Sequence, residues 1–274
     1  MHNVLIEPST LAQWLDEGRD VVVLDARARL QDADAGRALW REAHVPGARH
    51  ADMDRDLSAP PSPEGGRHPL PDKAAFAERL RRWGVTPERP VVVYDDQGGA
   101  IAAARTWWML VWVGHPAACV LDGGWPAWRA GDYPVSSDTT EPTPSDWTPT
   151  FDDSLIATTD DVARGDAVLL DARAGERFRG EYEPLDPAAG HIPGAHNVPA
   201  SSLLDTQSRL LSPDELARAL PAGDAVISYC GSGVSACQLI LACAVLGRPL
   251  PRLYPGSWSA WSSDPSRPVA TGAA

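Results

Sequence analysis

Cys230 stands where a predicted strand ends and a predicted helix begins. The stretch from Val226 to Gly247 is VISYCGSGVSACQLILACAVLG. Its first four residues are mostly β-branched or aromatic and predict a short buried strand, whereas the small apolar residues from 236 to 246 predict a buried helix. Gly231 and Gly233 follow the cysteine closely. We therefore predict a tight loop that leads from Cys230 into the start of a helix.

This setting favours a reactive sulfur. Ligands of parallel α/β sheets bind beyond the carboxyl ends of the strands, where Cys230 is predicted to lie. Glycines allow the loop to turn several N–H groups inward, and the next helix directs the positive end of its dipole to the same place. Both effects favour the thiolate, which is the nucleophilic form of cysteine. A buried structural cysteine is the alternative, and it is our expectation for Cys119, Cys237 and Cys243.

Two chemistries use a thiolate in such a loop. Phosphate-ester hydrolysis needs an arginine six positions after the cysteine, and that position is Ala236, so a phosphoryl group has no bidentate clamp here. In sulfur transfer, the thiolate attacks a sulfane sulfur and becomes a persulfide, which a second nucleophile then discharges. The loop of small neutral residues is compatible with this reaction. We favour sulfur transfer, and a noncatalytic sulfur-carrier or interaction module is the alternative from another class.

The chain contains the same ordered set of motifs twice. The pairs are VVVLDARARL with AVLLDARAGERF, AHVPGARH with GHIPGAHN, VVVYDDQGGA with VISYCGSGVS, and LDGGWPAWRAG with LYPGSWSAWSSD. Asp95 in the first copy stands where Cys230 stands in the second, which predicts a single active site. Asp25 with Arg27 and Asp171 with Arg173 end a strand in each copy, where we expect structural ion pairs, and we expect Asp171 to support the cysteine loop.

Each copy alternates short β runs with helical stretches, which indicates an α/β fold with a mostly parallel sheet covered by helices. A stretch rich in Pro, Ser, Thr and Asp separates the copies and predicts an extended linker. We predict a noncatalytic N-terminal domain over residues 1–130, a linker over 131–150 and a catalytic C-terminal domain over 151–274.

Composition narrows the partners. A net charge of −13 argues against nucleic acid, since phosphates would be repelled. The four cysteines and seven histidines show no close metal-ligand spacing, so we expect neither a metal nor a dissociable cofactor. No apolar run is long enough for a membrane span, and the N-terminus lacks the features of a signal peptide. We expect a cytoplasmic monomer.

These motifs together resemble the rhodanese superfamily of sulfurtransferases in its tandem two-domain form. The resemblance rests on both DAR strands, on HVPGA and HIPGA, on CGSGVSA, and on LDGGWPAW and YPGSWSAW, and it covers almost the whole chain. It implies two domains, each with a five-stranded, mostly parallel sheet flanked by helices. It also implies a catalytic cysteine in the C-terminal domain only.

The resemblance further implies a donor. CGSGVSA is similar to the loop of members that prefer 3-mercaptopyruvate, whereas thiosulfate-preferring members carry basic residues just after the cysteine. The expected donor is therefore the small anion 3-mercaptopyruvate, with thiosulfate as the alternative. The expected acceptor is a thiol, cyanide or a thioredoxin-like protein.

The resemblance also assigns residues. Cys230 is the expected nucleophile, Arg177 the residue that binds the anionic group of the donor, and His44 the partner of the loop serine in proton handling. Leu185 stands where a second substrate-binding arginine is usual, and Arg179 is a poorly placed replacement. The residues expected to contact the donor through the loop are Gly231, Ser232, Gly233, Val234 and Ser235.

Overall fold

The computed structural model describes residues 4–29, 32–99, 101–139, 141–221, 223 and 225–273, and these form two compact units. The first unit comprises the described residues of 1–58, 71–152 and 205–210. The second unit comprises those of 59–70, 153–204 and 211–274. Residues 59–70 thus belong to the unit that contains Cys230, although they lie within the range predicted for the first domain.

The first unit is built on a five-stranded parallel sheet with the strand order β1-β5-β4-β2-β3. Its strands are β1 (Leu5–Ile6), β2 (Val22–Asp25), β3 (Arg49–His50), β4 (Val91–Tyr94) and β5 (Ala118–Leu121). Its helices are α1 (Pro8–Asp16), α2 (Ala35–Glu42), α3 (Lys73–Arg82), α4 (Ala103–Trp112) and α5 (Gly124–Ala130). Every residue of β2 and β4 is buried, as expected for central parallel strands with both faces covered.

The second unit repeats this plan with the strand order β7-β6-β8-β9, and all its pairings are parallel. Its strands are β6 (Val168–Asp171), β7 (His196–Asn197), β8 (Val226–Tyr229) and β9 (Arg252–Leu253). Its α-helices are α6 (Thr159–Arg164), α7 (Gly175–Phe178), α8 (Pro213–Ala219), α9 (Ala236–Val245) and α10 (Ser257–Ser262). Two 3-10 helices cover Asp153–Leu155 and Ala200–Leu203. The predicted α/β class with two parallel sheets flanked by helices is confirmed.

The second sheet has four strands among the described residues, not the five expected. At the edge where β1 stands in the first unit, Ile156 makes a single parallel bridge to Leu253. Only Ile156 and Ala157 lie between the 3-10 helix that ends at Leu155 and the N-cap of α6 at Thr158, and their pairing with β9 stops at this single bridge.

The predicted Asp-Arg ion pairs are confirmed in both units. Arg27 lies 2.6 Å from Asp25, and Arg173 lies 2.6 Å from Asp171, with all four side chains buried. Each guanidinium also donates to a carbonyl of the following loop, that of Ala43 at 2.6 Å or that of Gly190 at 2.7 Å. The pair therefore fixes the turn beyond each strand to the strand itself.

The loop after β4 encloses the carboxylate of Asp95. The two carboxylate oxygens accept hydrogen bonds of 2.8 to 3.3 Å from the backbone N–H groups of Gln97, Gly99, Ile101, Ala102 and Ala103. Asp95 is almost completely buried. The loop that follows β4 can thus gather N–H donors around one carboxylate.

Replacing Asp95 with alanine should lower the free energy of unfolding by on the order of 3 kcal/mol, because several buried N–H groups lose their acceptor. Urea titration would measure the change. Asp96→Ala is the matched control, since Asp96 forms a surface pair with Arg29 and its loss should cost less than about 1 kcal/mol. Equal losses in the two variants would contradict the role assigned to the Asp95 carboxylate.

Candidate active site

Cys230 directly follows β8, and α9 begins six residues later at Ala236. The predicted strand, loop and helix are therefore present, and Ser235 is the N-cap of the helix. The cysteine side chain is buried within the loop, and the residue is 2% exposed. Ala236, where a phosphatase would need arginine, is fully buried in the first turn of the helix.

Helix α10 fixes the direction of the peptide groups after the cysteine. The N–H of Trp258 donates to the carbonyl oxygen of Cys230, and the N–H of Ser259 donates to that of Gly231, both at 2.9 Å. In a planar trans peptide the N–H points opposite to the C=O. The N–H groups of Gly231 and Ser232 are consequently directed away from α10 and are available for an anion.

Gly233 completes the turn, and no other residue fits its position without strain. Its φ of +76° lies in the left-handed region. A Cβ there would also lie 2.6 Å from the carbonyl oxygen of Pro255. The glycine lets the loop pass close to the segment before α10, so its role is to shape the loop. Val234 and Ser235 then lead into the helix.

Ser257 holds the cysteine backbone from the other side and was not identified in the sequence. Its Oγ accepts a hydrogen bond of 3.1 Å from the N–H of Cys230 and donates to the carbonyl of Tyr254 at 2.9 Å. Ser257 adopts a φ of +53°, unusual for a residue other than glycine. The first copy has Gly124 there, with a φ of +55°. The sequence difference between GGW at residues 123–125 and GSW at residues 256–258 could have identified Ser257.

His68 is the histidine that contacts the loop serine. Its Nδ1 lies 2.7 Å from Oγ of Ser232, and both side chains are buried. The donor in this bond depends on the histidine tautomer. His68 comes from residues 59–70, which lie in the second unit. No local sequence pattern identifies His68, because this segment lacks any hydrophobic period.

His44, expected to partner Ser232, belongs to the first unit and is tied into its own turn. Its Nδ1 lies 2.6 Å from the carbonyl oxygen of Trp40, and its ring stacks on the Trp40 ring at 5.1 Å. His191, in the matching turn of the second unit, bonds the carbonyl of Phe178 at 2.7 Å and stacks on its ring. The repetition favours the same local structural role for both histidines, and the role of His44 in proton handling stays a prediction.

Arg177 lies beside the cysteine loop, since its Nη1 would be 3.4 Å from a Cβ on Gly231, and buried carboxylates hold it there. Its Nη2 is 2.7 Å from Oε1 of Glu183 and 3.2 Å from Oδ2 of Asp186. Arg67, missed in the sequence, forms an ion pair with the other oxygen of Asp186. Burial raises the pKa of Asp186, and the two arginines oppose that effect. Two guanidinium groups therefore share one carboxylate beside the loop.

The residues considered as the second arginine position lie at the surface. Leu185 is 53% exposed. Arg179 forms an exposed ion pair with Glu181 at 2.7 Å. Arg179 is therefore a surface residue with a surface partner.

Asp171 acts on the loop through the strand that carries it. Besides binding Arg173, it accepts a hydrogen bond from Tyr229, the last residue of β8. Burial, followed by the negative charge of Asp171, raises the pKa of Tyr229 well above its usual value, so the phenol remains a donor. Asp171 therefore anchors the residue immediately before Cys230.

The other cysteines are buried, as expected. Burial raises the pKa of Cys119 to about 12 and that of Cys243 to about 11, so both thiols stay protonated near neutral pH. Within the described ranges, no group of three or more His, Cys, Asp or Glu side chains is placed to hold a metal ion. None of the helices in those ranges is long and apolar enough to cross a membrane.

Known proteins share both the domain and the full-length organisation. Residues 7–131 and 157–264 match the Rhodanese-like domain. The probable 3-mercaptopyruvate sulfurtransferase of Pseudomonas aeruginosa is 46% identical over 281 residues, covering 98% of each chain. A putative thiosulfate sulfurtransferase of Mycobacterium tuberculosis is 42% identical over 281 residues, covering 99% of this chain and 98% of its own.

A solved structure shows the same fold. The 3-mercaptopyruvate sulfurtransferase from Leishmania major has a TM-score of 0.85 and 33% sequence identity, covering 94% of this chain and 73% of the other. The chain belongs to the rhodanese family, in a form with two copies of the domain. The family resemblance predicted from the sequence motifs is thus confirmed.

Replacing Ser257 with glycine should slow alkylation of Cys230 by iodoacetamide at least several-fold while leaving the midpoint of urea unfolding nearly unchanged. Glycine removes the hydrogen bond to the Cys230 N–H, worth about 1 kcal/mol, but relieves the positive φ by a similar amount. Ser263→Gly is the control, since Ser263 lies just after α10 and does not touch the loop. An unchanged alkylation rate would show that Ser257 does not position the cysteine.

Proposed function

We propose that the protein is a sulfurtransferase that takes sulfur from 3-mercaptopyruvate onto Cys230 and passes it to a thiol or to cyanide. The observation that carries this proposal is the position of Cys230 at the end of β8. Helix α10 donates hydrogen bonds to the carbonyl oxygens of Cys230 and Gly231, so the N–H groups of Gly231 and Ser232 point away from α10. The relatives from Pseudomonas aeruginosa and Leishmania major, both named 3-mercaptopyruvate sulfurtransferases, support it.

The chemistry begins with the Cys230 thiolate attacking the sulfur of the donor. A new S–S bond forms as the donor C–S bond breaks, and the electron pair of that bond stays on the carbon as the enolate of pyruvate. The enolate takes up the proton released from the donor thiol. The products are pyruvate and an enzyme persulfide, whose terminal sulfur carries the negative charge. The N–H groups of Gly231 and Ser232 stabilise that charge.

Proton handling falls to Ser232 and His68 in this proposal. Their 2.7 Å contact lets the serine hydroxyl and the imidazole pass a proton between the donor thiol and the donor carbon. His68 thereby takes the role expected for His44. Arg177 binds the carboxylate of the donor through its guanidinium group. In the second half-reaction, the acceptor attacks the terminal sulfur and restores the Cys230 thiolate.

Thiosulfate is the second candidate donor, and the relative from Mycobacterium tuberculosis named a putative thiosulfate sulfurtransferase favours it. The loop after Cys230 argues for 3-mercaptopyruvate, because residues 231–235 carry no cation to balance the second charge of thiosulfate. We further propose a cytoplasmic monomer, with a thioredoxin-like protein as one acceptor. The first copy, with Asp95 in place of the cysteine, is noncatalytic in this proposal.

Brief exposure to 3-mercaptopyruvate should add the mass of one sulfur atom to the protein, and the Cys230→Ser variant should show no gain. Intact-mass spectrometry measures this directly, with a parallel sample exposed to thiosulfate. A gain from thiosulfate alone would keep the persulfide chemistry and replace the donor. A gain that persists in Cys230→Ser would refute the assignment of the nucleophile.

Replacing His68 with asparagine should lower pyruvate formation from 3-mercaptopyruvate by about 100-fold or more, because a proton must move in that reaction. Persulfide formation from thiosulfate should change only a few-fold, since that reaction releases sulfite without a proton transfer. Single-turnover assays of pyruvate and sulfite separate the two. The control is His196→Asn, at an exposed histidine of β7. Equal losses with both donors would assign His68 a structural role instead.

A further inference from the structure

The loop from Gly180 to Gly190 buries its carboxylates and exposes its large apolar side chains. The side chains of Glu183 and Asp186 are each 2% exposed. By contrast, Tyr182 is 59% exposed and Leu185 is 53% exposed. Surface loops normally show the opposite arrangement, because burying a carboxylate is costly and exposing a large apolar side chain gives up the free energy of its burial. Each side of this loop therefore needs a physical reason.

The buried side of this 180–190 loop is explained by ion pairs. Asp186 binds both Arg67 and Arg177. These two guanidinium groups also reach the cysteine loop, since their nearest atoms would lie 2.9 Å and 3.4 Å from a Cβ on Gly231. Only one layer of guanidinium groups therefore separates the 180–190 loop from the residue that follows Cys230.

The exposed side of the loop belongs to a small apolar surface. Four large apolar side chains are exposed in the part of the chain that the structure describes, and they are Val135, Tyr182, Leu185 and Val269. All but Val135 belong to the unit that contains Cys230. Val269 lies at the base of the loop, because its Cγ1 would be 2.7 Å from a Cβ on Gly190. Exposed apolar side chains grouped in this way mark an interaction surface, whereas scattered ones do not.

The loop is built to hold one shape. Its two ends meet, since a Cβ on Gly180 would lie 3.3 Å from the Cα of Gly190. Pro184 and Pro187, both exposed, each fix one backbone φ angle between those ends. Loops with joined ends and an interior filled by their own side chains are compact and often functional. The outer side of this loop therefore loses little conformational entropy when a partner covers it.

The exposed charges of the segment limit the partner. They are those of Glu176, Arg179 and Glu181, and two carboxylates with one guanidinium leave one net negative charge. Arg179 and Glu181 also neutralise each other at 2.7 Å. Nucleic acid and anionic membranes are bound through clustered basic residues, which this surface lacks among its described residues. A complementary partner is a protein with an apolar surface and a neutral or basic rim.

We propose that the outer side of the 180–190 loop, with Tyr182, Leu185 and Val269, docks a small protein whose thiol accepts the sulfur from Cys230. The inference rests on the proposed function, because it needs a persulfide to discharge. The acceptor thiol attacks the outer sulfur of that persulfide, and its proton moves to the transferred sulfur. The S–S bond to Cys230 breaks, and its electron pair stays on Cys230 as the thiolate. Because Cys230 is almost completely buried, docking beside its loop holds the acceptor thiol where it can enter.

The test compares two dithiol acceptors, reduced thioredoxin and dithiothreitol, of which only the first has a protein surface. The protein is loaded with one sulfur from 3-mercaptopyruvate, and intact mass follows the loss of that sulfur. The double variant Tyr182→Ser with Leu185→Ser should lower the rate constant for discharge by thioredoxin about tenfold or more. Its discharge by dithiothreitol should stay close to that of the wild type, because the cysteine loop is unchanged.

Val135→Ser is the matched control, since Val135 is 41% exposed and lies in the other unit, and it should change neither rate. The midpoint of urea unfolding should stay near that of the wild type in every variant, because the replaced side chains are exposed. An unchanged rate with thioredoxin would overturn the docking surface. So would an equal fall with both acceptors, which indicates a disturbed cysteine loop, or a wild type that dithiothreitol discharges and thioredoxin does not.

A second copy of the chain is the competing occupant of this surface. Sedimentation of the wild type over a range of concentrations measures it. We expect the same sedimentation behaviour for the wild type and the double variant. A concentration-dependent dimer that the double variant abolishes would assign the surface to self-association and overturn the docking of an acceptor.

A second readout separates the docking surface from the proposed function. If neither 3-mercaptopyruvate nor thiosulfate adds sulfur to Cys230, the proposed function fails. Cys230 is then activated as a mixed disulfide with Ellman's reagent, with Cys230→Ser as the blank, and attack by a thiol releases the coloured thiolate. The double variant should slow this release by thioredoxin and leave release by dithiothreitol unchanged. Equal rates of release by thioredoxin from the wild type and the double variant would overturn the docking surface whatever the donor.

Discussion

The direction of the peptide groups that follow Cys230 is the constraint on which the site depends. A thiolate or persulfide at a strand end needs N–H groups that point towards it. A loop can adopt this arrangement only if its carbonyl oxygens, which then point the opposite way, find other hydrogen-bond donors. Helix α10 provides these partners, because its N–H groups bind the carbonyls of Cys230 and Gly231. The left-handed Gly233 and Ser257 let the loop and the helix meet closely enough for these bonds.

The two units present the matching loop with two different side chains, Asp95 in the first and Cys230 in the second. In the first, the carboxylate of Asp95 is a permanent part of the chain and takes up N–H donors of its own loop. In the second, the matching position is the buried Cys230, which the proposed function makes the carrier of the transferred sulfur. The two copies also differ at the position before the tryptophan of GGW and GSW. Gly124 packs against the Asp95 carbonyl, whereas Ser257 accepts a hydrogen bond from the Cys230 N–H. The N–H groups of the first loop are thus satisfied by the side chain of Asp95.

Features that depend on neighbouring residues could be predicted from the sequence. The strand, loop and helix around Cys230 follow from a β-branched run, two glycines and an apolar stretch, and the ion pair of Asp171 with Arg173 follows from the repeat. His68 and Arg67 could not be found this way, because they reach the loop from a Pro- and Gly-rich segment more than 150 residues away in the chain. That segment folds by tertiary contacts, which leave no periodic pattern.

The histidine motif illustrates the same limit. The HVPGA and HIPGA turns occur in both copies, and in both the histidine binds a backbone carbonyl of its own unit. A feature present in the copy without the cysteine is explained by folding alone, and this comparison was available from the sequence. The number of strands in the second sheet was not, because the difference is only that between a two-residue strand, as at Leu5–Ile6, and a single bridge at Ile156.

The assignment of residues 59–70 to the second unit has a consequence for the duplication itself. A duplicated gene begins as two interchangeable modules, each able to fold and act from its own stretch of chain. Here the module with the nucleophile borrows a segment encoded in the other half, while residues 205–210 belong to the first unit. Each half of the chain thereby contributes residues to the unit formed mainly by the other half. The fragment 151–274 would contain Cys230 without His68 or Arg67. Recombination at the predicted linker would consequently separate Cys230 from His68 and Arg67, so the site can be inherited only as a whole.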